Sequence, residues 1–166
     1  IRAGQLSSDE LIKSVLERSE SLNPHLNLWA ELNPERVIKD ARKRDKELRT
    51  LGQLGPLHGI SIGIKDIFNT KGIETSHGSP KHQGSIPSFD ATSVALLKSA
   101  GAIIMGKTIT TELACGDTPS TLNPWDSQRT PGDSSTGSAV GVESNIFPVA
   151  KGSLTAGSVL RRAAYN

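Results

Sequence analysis

The sequence predicts an α/β fold, a β-sheet flanked by helices. Three observations carry that prediction. Segments with helical apolar spacing begin and end on helix start and stop residues, short runs rich in isoleucine lie between them, and glycine-rich turns mark the junctions. With 166 residues the chain is long enough to bury a core.

"LSSDELIKSVLERSESLNP" opens with a capping box, in which Ser7 caps the amide three residues on and Glu10 reaches back. Leu11, Ile12, Val15, Leu16 and Leu22 follow at helical spacing, and the helix is expected to end near Asn23-Pro24. "NPERVIKDARKRDKELRTLG" predicts a second helix, with Asn33 as cap, Pro34 in the first turn and Gly52 as stop. In "HGISIGIKD", Ile60, Ile62 and Ile64 alternate with small residues, the pattern of a short strand. Residues 66 to 89 read as turns. "DATSVALLKSAGAIIMGKT" predicts a helix capped by Asp90 and stopped at Gly101, then a strand over Ala102 to Met105. A small-residue helix over Thr136 to Asn145 and a strand over Ile146 to Ala150 complete the series. The composition changes after Gly55-Pro56. The chain therefore divides into an N-terminal helical segment, 1–54, and an α/β core, 55–166.

Charge and composition exclude several classes. The 19 basic and 17 acidic residues leave a net charge of +2, which gives no general electrostatic case for a nucleic acid or a membrane surface. The basic run "RKRDK" is interleaved with Asp40, Asp45 and Glu47, as on a solvated helix face. No apolar run approaches the roughly 18 residues of a membrane span. The single cysteine, Cys115, rules out an internal disulfide and fits a reducing, cytoplasmic location. The chain starts at Ile1 and stops at "GSVLRRAAYN", so it reads as the front part of something longer.

Among the motifs, Gly101 to Thr108, "GAIIMGKT", satisfies the pattern of a phosphate-binding loop with Lys107 as its lysine. Its four middle residues are themselves the expected strand, and a strand cannot also be the curled loop. His25, His58, His77 and His82 have no metal-ligand spacing among themselves or with Cys115, whose reading is packing. Lys65 is the more informative residue. It ends an apolar strand, where a buried ammonium is costly unless paired. It can be a structural ion pair with Asp66 or Asp133, or a lysine whose pKa is lowered by desolvation until it acts as a base. "TAGS", Thr155 to Ser158, would supply a serine beside backbone N–H groups able to converge on an oxyanion. By pattern alone this is as compatible with a plain turn. "PGDSSTGS", residues 131 to 138, has the composition of a linker yet lies between two elements of one core.

The ordered stretches "GPLHGISIGIKD", "DATSVALLKSAGAIIMGKTITTELA", "NPWDSQRTPGDSSTGSA" and "TAGSVLRRAAY" closely resemble the amidase signature family. The resemblance runs from the first helix to the last residue and implies roughly the first third of the family fold, a mixed β-sheet core flanked by helices. It also implies hydrolysis or transfer at a small-molecule carboxamide through a Ser–Ser–Lys triad and an acyl-serine, without metal or organic cofactor and without direct nucleic-acid contact. By position the family lysine falls on Lys65, the bridging serine on Ser134 and the nucleophile on Ser158, with Ser135 in support. The serine spacing of 24 matches the family. Backbone amides of Thr155, Ala156, Gly157 and Ser158 would form the oxyanion hole, and a cis peptide bond would precede Ser134. On this resemblance "PGDSSTGS" is small and polar because it is a catalytic turn. An amidotransferase subunit of the same family, an allophanate-type hydrolase and a catalytically dead scaffold are the alternatives.

Several positions depart from the family pattern. Asp133 and Thr136 replace glycines in the turn, Lys151 replaces an apolar strand residue, Leu154 a polar one and Arg162 a proline, while Ala156 for glycine is a common variant. These departures imply reduced activity or a degenerate copy. A chain stopping at Asn166 is expected to be poorly folded and inactive on its own.

Overall fold

The computed structural model describes residues 1–50, 54–115, 120–154, 157–160 and 164. Its helices are α1 (Ser8–Leu26), α2 (Pro34–Thr50), α3 (Thr92–Ser99) and α4 (Thr136–Glu143). Its strands are β1 (Trp29–Leu32), β2 (Ser61–Lys65), β3 (Ile103–Thr108) and β4 (Val149–Lys151). The strands form one sheet in the order β1-β3-β2-β4. β1 runs antiparallel to β3, whereas β2 is parallel to both β3 and β4. The sheet is therefore mixed.

The α1 capping box is present: Ser7 Oγ accepts the Glu10 amide at 3.1 Å and Glu10 Oε2 accepts the Ser7 amide at 2.9 Å. The helix continues past Asn23-Pro24 to Leu26. Pro24, in the last turn, has no N–H to give the Glu20 carbonyl, so the helix forgoes one bond there. Asn27 then closes the helix in a left-handed conformation, φ 50°, while Asn23 Oδ1 accepts the Leu28 amide at 2.9 Å. Asn33 Oδ1 caps α2 by accepting the Arg36 amide at 3.0 Å. The expected stop at Gly52 lies outside the described residues. Asp45 turns from α2 to α1, its carboxylate accepting the amides of Ser8 (2.7 Å) and Asp9 (3.0 Å), where the helix dipole favours an anion.

Other elements also differ from those the sequence predicts. β1 is new: its four residues carry no periodicity of their own and exist through pairing with β3. Asp90 does not cap α3. Ala91 occupies that position, and the Asp90 carboxylate is drawn instead to Lys98 Nζ (2.7 Å) and the Lys71 amide (2.8 Å). β3 runs on through Gly106 and Lys107 to Thr108 because it is paired on both sides, and a side chain on Gly106 would collide with the Glu31 carbonyl of β1. α4 ends at Glu143, and β4 starts only at Val149. Ile146 and Phe147 are core side chains ahead of it, and Pro148 cannot donate to a ladder.

Every residue of β2 and β3 is buried, and their side chains face two cores, alternating except at a bulge in β3 where Met105 is the extra residue between Ile104 and Gly106. Ile103 and Met105 join Ile12, Leu28, Trp29, Val37, Val140 and Phe147 on the face covered by α1, α2 and α4. Ile62, Ile64 and Ile104 join Ile73 and Val94 on the other. The residues of the phosphate-loop pattern are thus a turn and strand β3, with Gly101 at φ 93°. On the first face Phe147 lies edge-on to Trp29, with ring centroids 5.5 Å apart, and its ring occupies space left by two glycines. A Cβ on Gly63 would stand 2.6 Å from Phe147 Cζ, and one on Gly141 would overlap the ring.

This packing sets the cost of disturbing it. Phe147→Ala should destabilise the fold by about 3–5 kcal/mol, and Gly141→Ala, which overpacks the same contact, by about 1–3 kcal/mol. Urea unfolding midpoints measure both. Burial also pushes the Glu31 carboxyl above its ordinary value of 4.5, while Arg36 pulls it back. The fold thus favours the protonated form, and stability should fall as pH rises from the ordinary carboxyl value through the raised one. Glu31→Gln should flatten that slope in melting temperatures recorded against pH.

Candidate active site

β2 ends on Lys65, whose side chain has no exposed surface. An ammonium there needs protein oxygens in place of water. Lys65 Nζ lies 2.7 Å from Ser134 Oγ, 3.0 Å from Ser135 Oγ and 2.7 Å from Ser153 Oγ. These hydroxyls come from the turn that leads into α4 and from the segment just after β4. Ser134 Oγ is in turn 2.7 Å from Ser158 Oγ, and Ser158 Oγ also accepts the Ser135 amide at 2.8 Å. Ser135 Oγ is 2.9 Å from Ser158 Oγ and donates to the Ser153 carbonyl at 3.2 Å. Ser134, Ser135 and Ser158 are all buried. The result is an unbroken hydrogen-bonded chain from Lys65 through Ser134 to Ser158.

Local bonds shape the turn. Asp133 Oδ1 accepts the Ser134 amide at 2.8 Å, and Thr136 Oγ1 donates to the Asp133 carbonyl at 2.8 Å. The two residues expected to damage a glycine turn therefore bond within it. Among the described residues every peptide bond is trans, so the cis bond expected before Ser134 is absent. The Asp133 and Thr136 bonds hold the turn in this form, and Ser134 Oγ reaches both neighbours from a trans backbone. Ser158 follows Gly157, whose φ of 115° lies where a side chain would be strained. Of the amides expected to hold an oxyanion, those of Gly157 and Ser158 fall within the described residues. Thr155 and Ala156 lie outside them, as does Arg162.

The two acids considered beside Lys65 each have a contact of their own. The Asp66 carboxylate turns to Lys107 Nζ, 3.2 Å away, and Asp133 serves the Ser134 amide. Lys107 is fully buried, and burial pushes its ammonium below the ordinary lysine value while Asp66 pulls it back up. Lys151 is half-buried, its Nζ 4.9 Å from the centroid of the Phe68 ring, so the strand accommodates the charge on an aromatic face. Leu154 is half-exposed. Cys115 is exposed rather than packed, because it follows a short turn in which Leu113 and Ala114 both take positive φ. His77 and His82 meet edge to face with centroids 5.3 Å apart. Among the described residues no group of three His, Cys, Asp or Glu could hold a metal ion.

Sequence reasoning passed over Ser153 and the Asp66–Lys107 pair. Ser153 stands five residues before Ser158 in the same small-residue run, which was the available signal. Lys107 was visible only as part of a misleading motif.

Comparison with known proteins agrees with this architecture. A family model described as Amidase matches residues 10–166. A glutamyl-tRNA(Gln) amidotransferase subunit from Desulfatibacillum aliphaticivorans is 40% identical over 161 residues, which cover 93% of this chain and 33% of that protein. The native peptide amidase from Stenotrophomonas maltophilia superposes with a TM-score of 0.91 at 40% identity, covering 98% of this chain and 36% of that one. A fatty acid amide hydrolase superposes with a TM-score of 0.92 at 30% identity, over 99% of this chain and 30% of the other. The chain thus spans about one third of the length of the relatives it matches. With matching motifs, topology and superposition, this chain belongs to the amidase signature family.

Proposed function

We propose that this chain carries the nucleophile and proton relay of an enzyme that cleaves a carboxamide C–N bond. The observation that carries the reading is the buried Lys65–Ser134–Ser158 hydrogen-bonded chain, with both its serine contacts at 2.7 Å. In its neutral form Lys65 has one lone pair and two N–H donors. It accepts the Ser134 proton while donating to Ser135 and Ser153, and after protonation it donates to all three hydroxyls. One set of oxygens thus serves both protonation states with little rearrangement.

In the proposed reaction Ser158 Oγ attacks the amide carbonyl carbon. Its proton passes to Ser134 Oγ as the Ser134 proton passes to Lys65 Nζ. Backbone amides near Ser158 hold the negative charge that develops on the carbonyl oxygen. The tetrahedral intermediate collapses with cleavage of the C–N bond, and the relay run backwards delivers the proton to the departing nitrogen. The acyl-serine is then released to water or to an amine. All proton transfers use this chain's own side chains.

The names of the curated relatives favour a second reading of the same site, as part of a glutamyl-tRNA(Gln) amidotransferase. On that reading the carboxamide is that of glutamine and the released nitrogen goes to a partner's reaction. Stable co-purification with a tRNA-binding partner protein separates the two readings. Asp133 and Thr136, bonded within the turn, weigh against a dead scaffold.

The test is fluorophosphonate labelling of the intact protein carrying this sequence, read by peptide mass mapping. An adduct on Ser158 is expected, and Lys65→Ala and Ser134→Ala should each slow it by at least about a hundredfold, the scale of general-base loss. No adduct on Ser158, or one indifferent to Lys65, would refute the reading. Ser153→Ala should slow labelling by roughly three- to tenfold, the worth of one hydrogen bond to the lysine, with Ser153→Thr close to wild type.

A further inference from the structure

Lys65 ends β2 and Lys107 is the last residue but one of the adjacent parallel β3; neither has exposed surface, and the proposed chemistry uses only the first. In the pairing of β2 with β3, Lys65 lies opposite Thr108 and Ile64 opposite Lys107, so the two lysines leave the sheet on opposite faces. Lys107 Nζ meets Asp66 Oδ1 at 3.2 Å, the Phe68 carbonyl at 2.6 Å and Thr75 Oγ1 at 2.8 Å. Asp66 gives its other oxygen to the Ser76 amide (3.1 Å) and hydroxyl (2.6 Å), and its own amide to the Thr108 carbonyl (3.0 Å). The next residue after Lys65 is therefore a carboxylate fixed from several sides. A buried carboxylate so near would hold a proton on Lys65 unless its charge were balanced.

We propose that Lys107 is an electrostatic positioning residue for this reaction: it draws the Asp66 carboxylate to the opposite face of the sheet and balances its charge, so that Lys65 can lose its proton. The inference rests on the reading of Lys65 as proton acceptor. The elements packed against β2 carry few other charges among the described residues. Lys151 on β4 aligns with Ile64, hence on the face of Lys107, and stands over Phe68. Asp133, in the turn before α4, is occupied by the Ser134 amide, and Glu143, the last residue of α4, by Trp125 Nε1. Glu31 on β1 aligns with Lys107 and lies near Glu74, on the far side of β3 from β2. Of the acids near Lys65, Asp66 is the least exposed, at 1%.

The experiment follows the protonation of Lys65 directly, by NMR titration of the intact protein labelled with 13Cε-lysine, its signal assigned with Lys65→Arg. In Lys107→Met the Lys65 titration should move up by about one pH unit or more. In the double variant Asp66→Asn with Lys107→Met it should return to the wild-type position, and Lys107→Arg should stay there. Lys107→Gln, which keeps donors for Phe68 and Thr75, is the second variant should Lys107→Met fail to fold, with the same upward shift expected. An unmoved titration in the neutral variants, or a shift that the double variant does not reverse, overturns the proposal. Because protonation is read on Lys65 and not through Ser158, failure of Ser158 to label would refute the proposed function without deciding this one.

Discussion

A lysine amine with no access to water constrains the rest of the site. At the end of β2, Lys65 is covered on every side, and the free-energy cost of stripping its hydration is met by oxygens from three hydroxyl groups. Those hydroxyls must arrive from distant segments at hydrogen-bond distance. That requirement explains why the turn before α4 consists of small polar residues and why the chain after β4 returns to the same spot. Two glycines admit the Phe147 ring beneath this corner, and the ring fills the core between β2 and α4. The packing and the site are therefore solved together, since a shift of β2 would move both the ring contact and the lysine.

Much of this was legible in the sequence, and the reasons differ from residue to residue. The α1 cap could be read because Ser7 and Glu10 meet over three residues of chain, a purely local geometry. The isoleucines of β2 could be read because a strand buried on both faces is short and apolar. Asp90 misled because a carboxylate chooses among partners, and Lys98 lies within its reach along the helix. β1 was invisible because four residues paired to a strand far along the chain leave no periodicity of their own, as the alignment of Trp29 with Thr108 makes plain. Of the site, Lys65, Ser134, Ser135 and Ser158 were visible as motif residues by resemblance, whereas their mutual distances depend on long-range folding. Ser153 was missed because nothing in a glycine-serine run says which hydroxyl turns inward.

The departures from the family pattern show how local bonds replace conformational freedom. A glycine allows a turn by lacking a side chain; Asp133 and Thr136 shape one by binding its amide and carbonyl. Lys151, another departure, sets its ammonium over the face of the Phe68 ring. Charges enter this fold where a specific partner stands ready, and the pairing of Asp66 with Lys107 is the most deeply buried instance.

The separations along the chain have a consequence for its synthesis. Lys65 is bonded to Ser134 across 69 positions and to Ser153 across 88. On a ribosome adding about 5–20 residues per second, the last of these partners is made roughly 4–18 s after the lysine. For that interval the end of β2 keeps its charge in water, and the apolar strand beside it cannot be sealed. The residue at the centre of the finished site is thus, in the nascent chain, a hydrated cation at the tip of a strand, the kind of charge that keeps an unpaired strand from joining a neighbour.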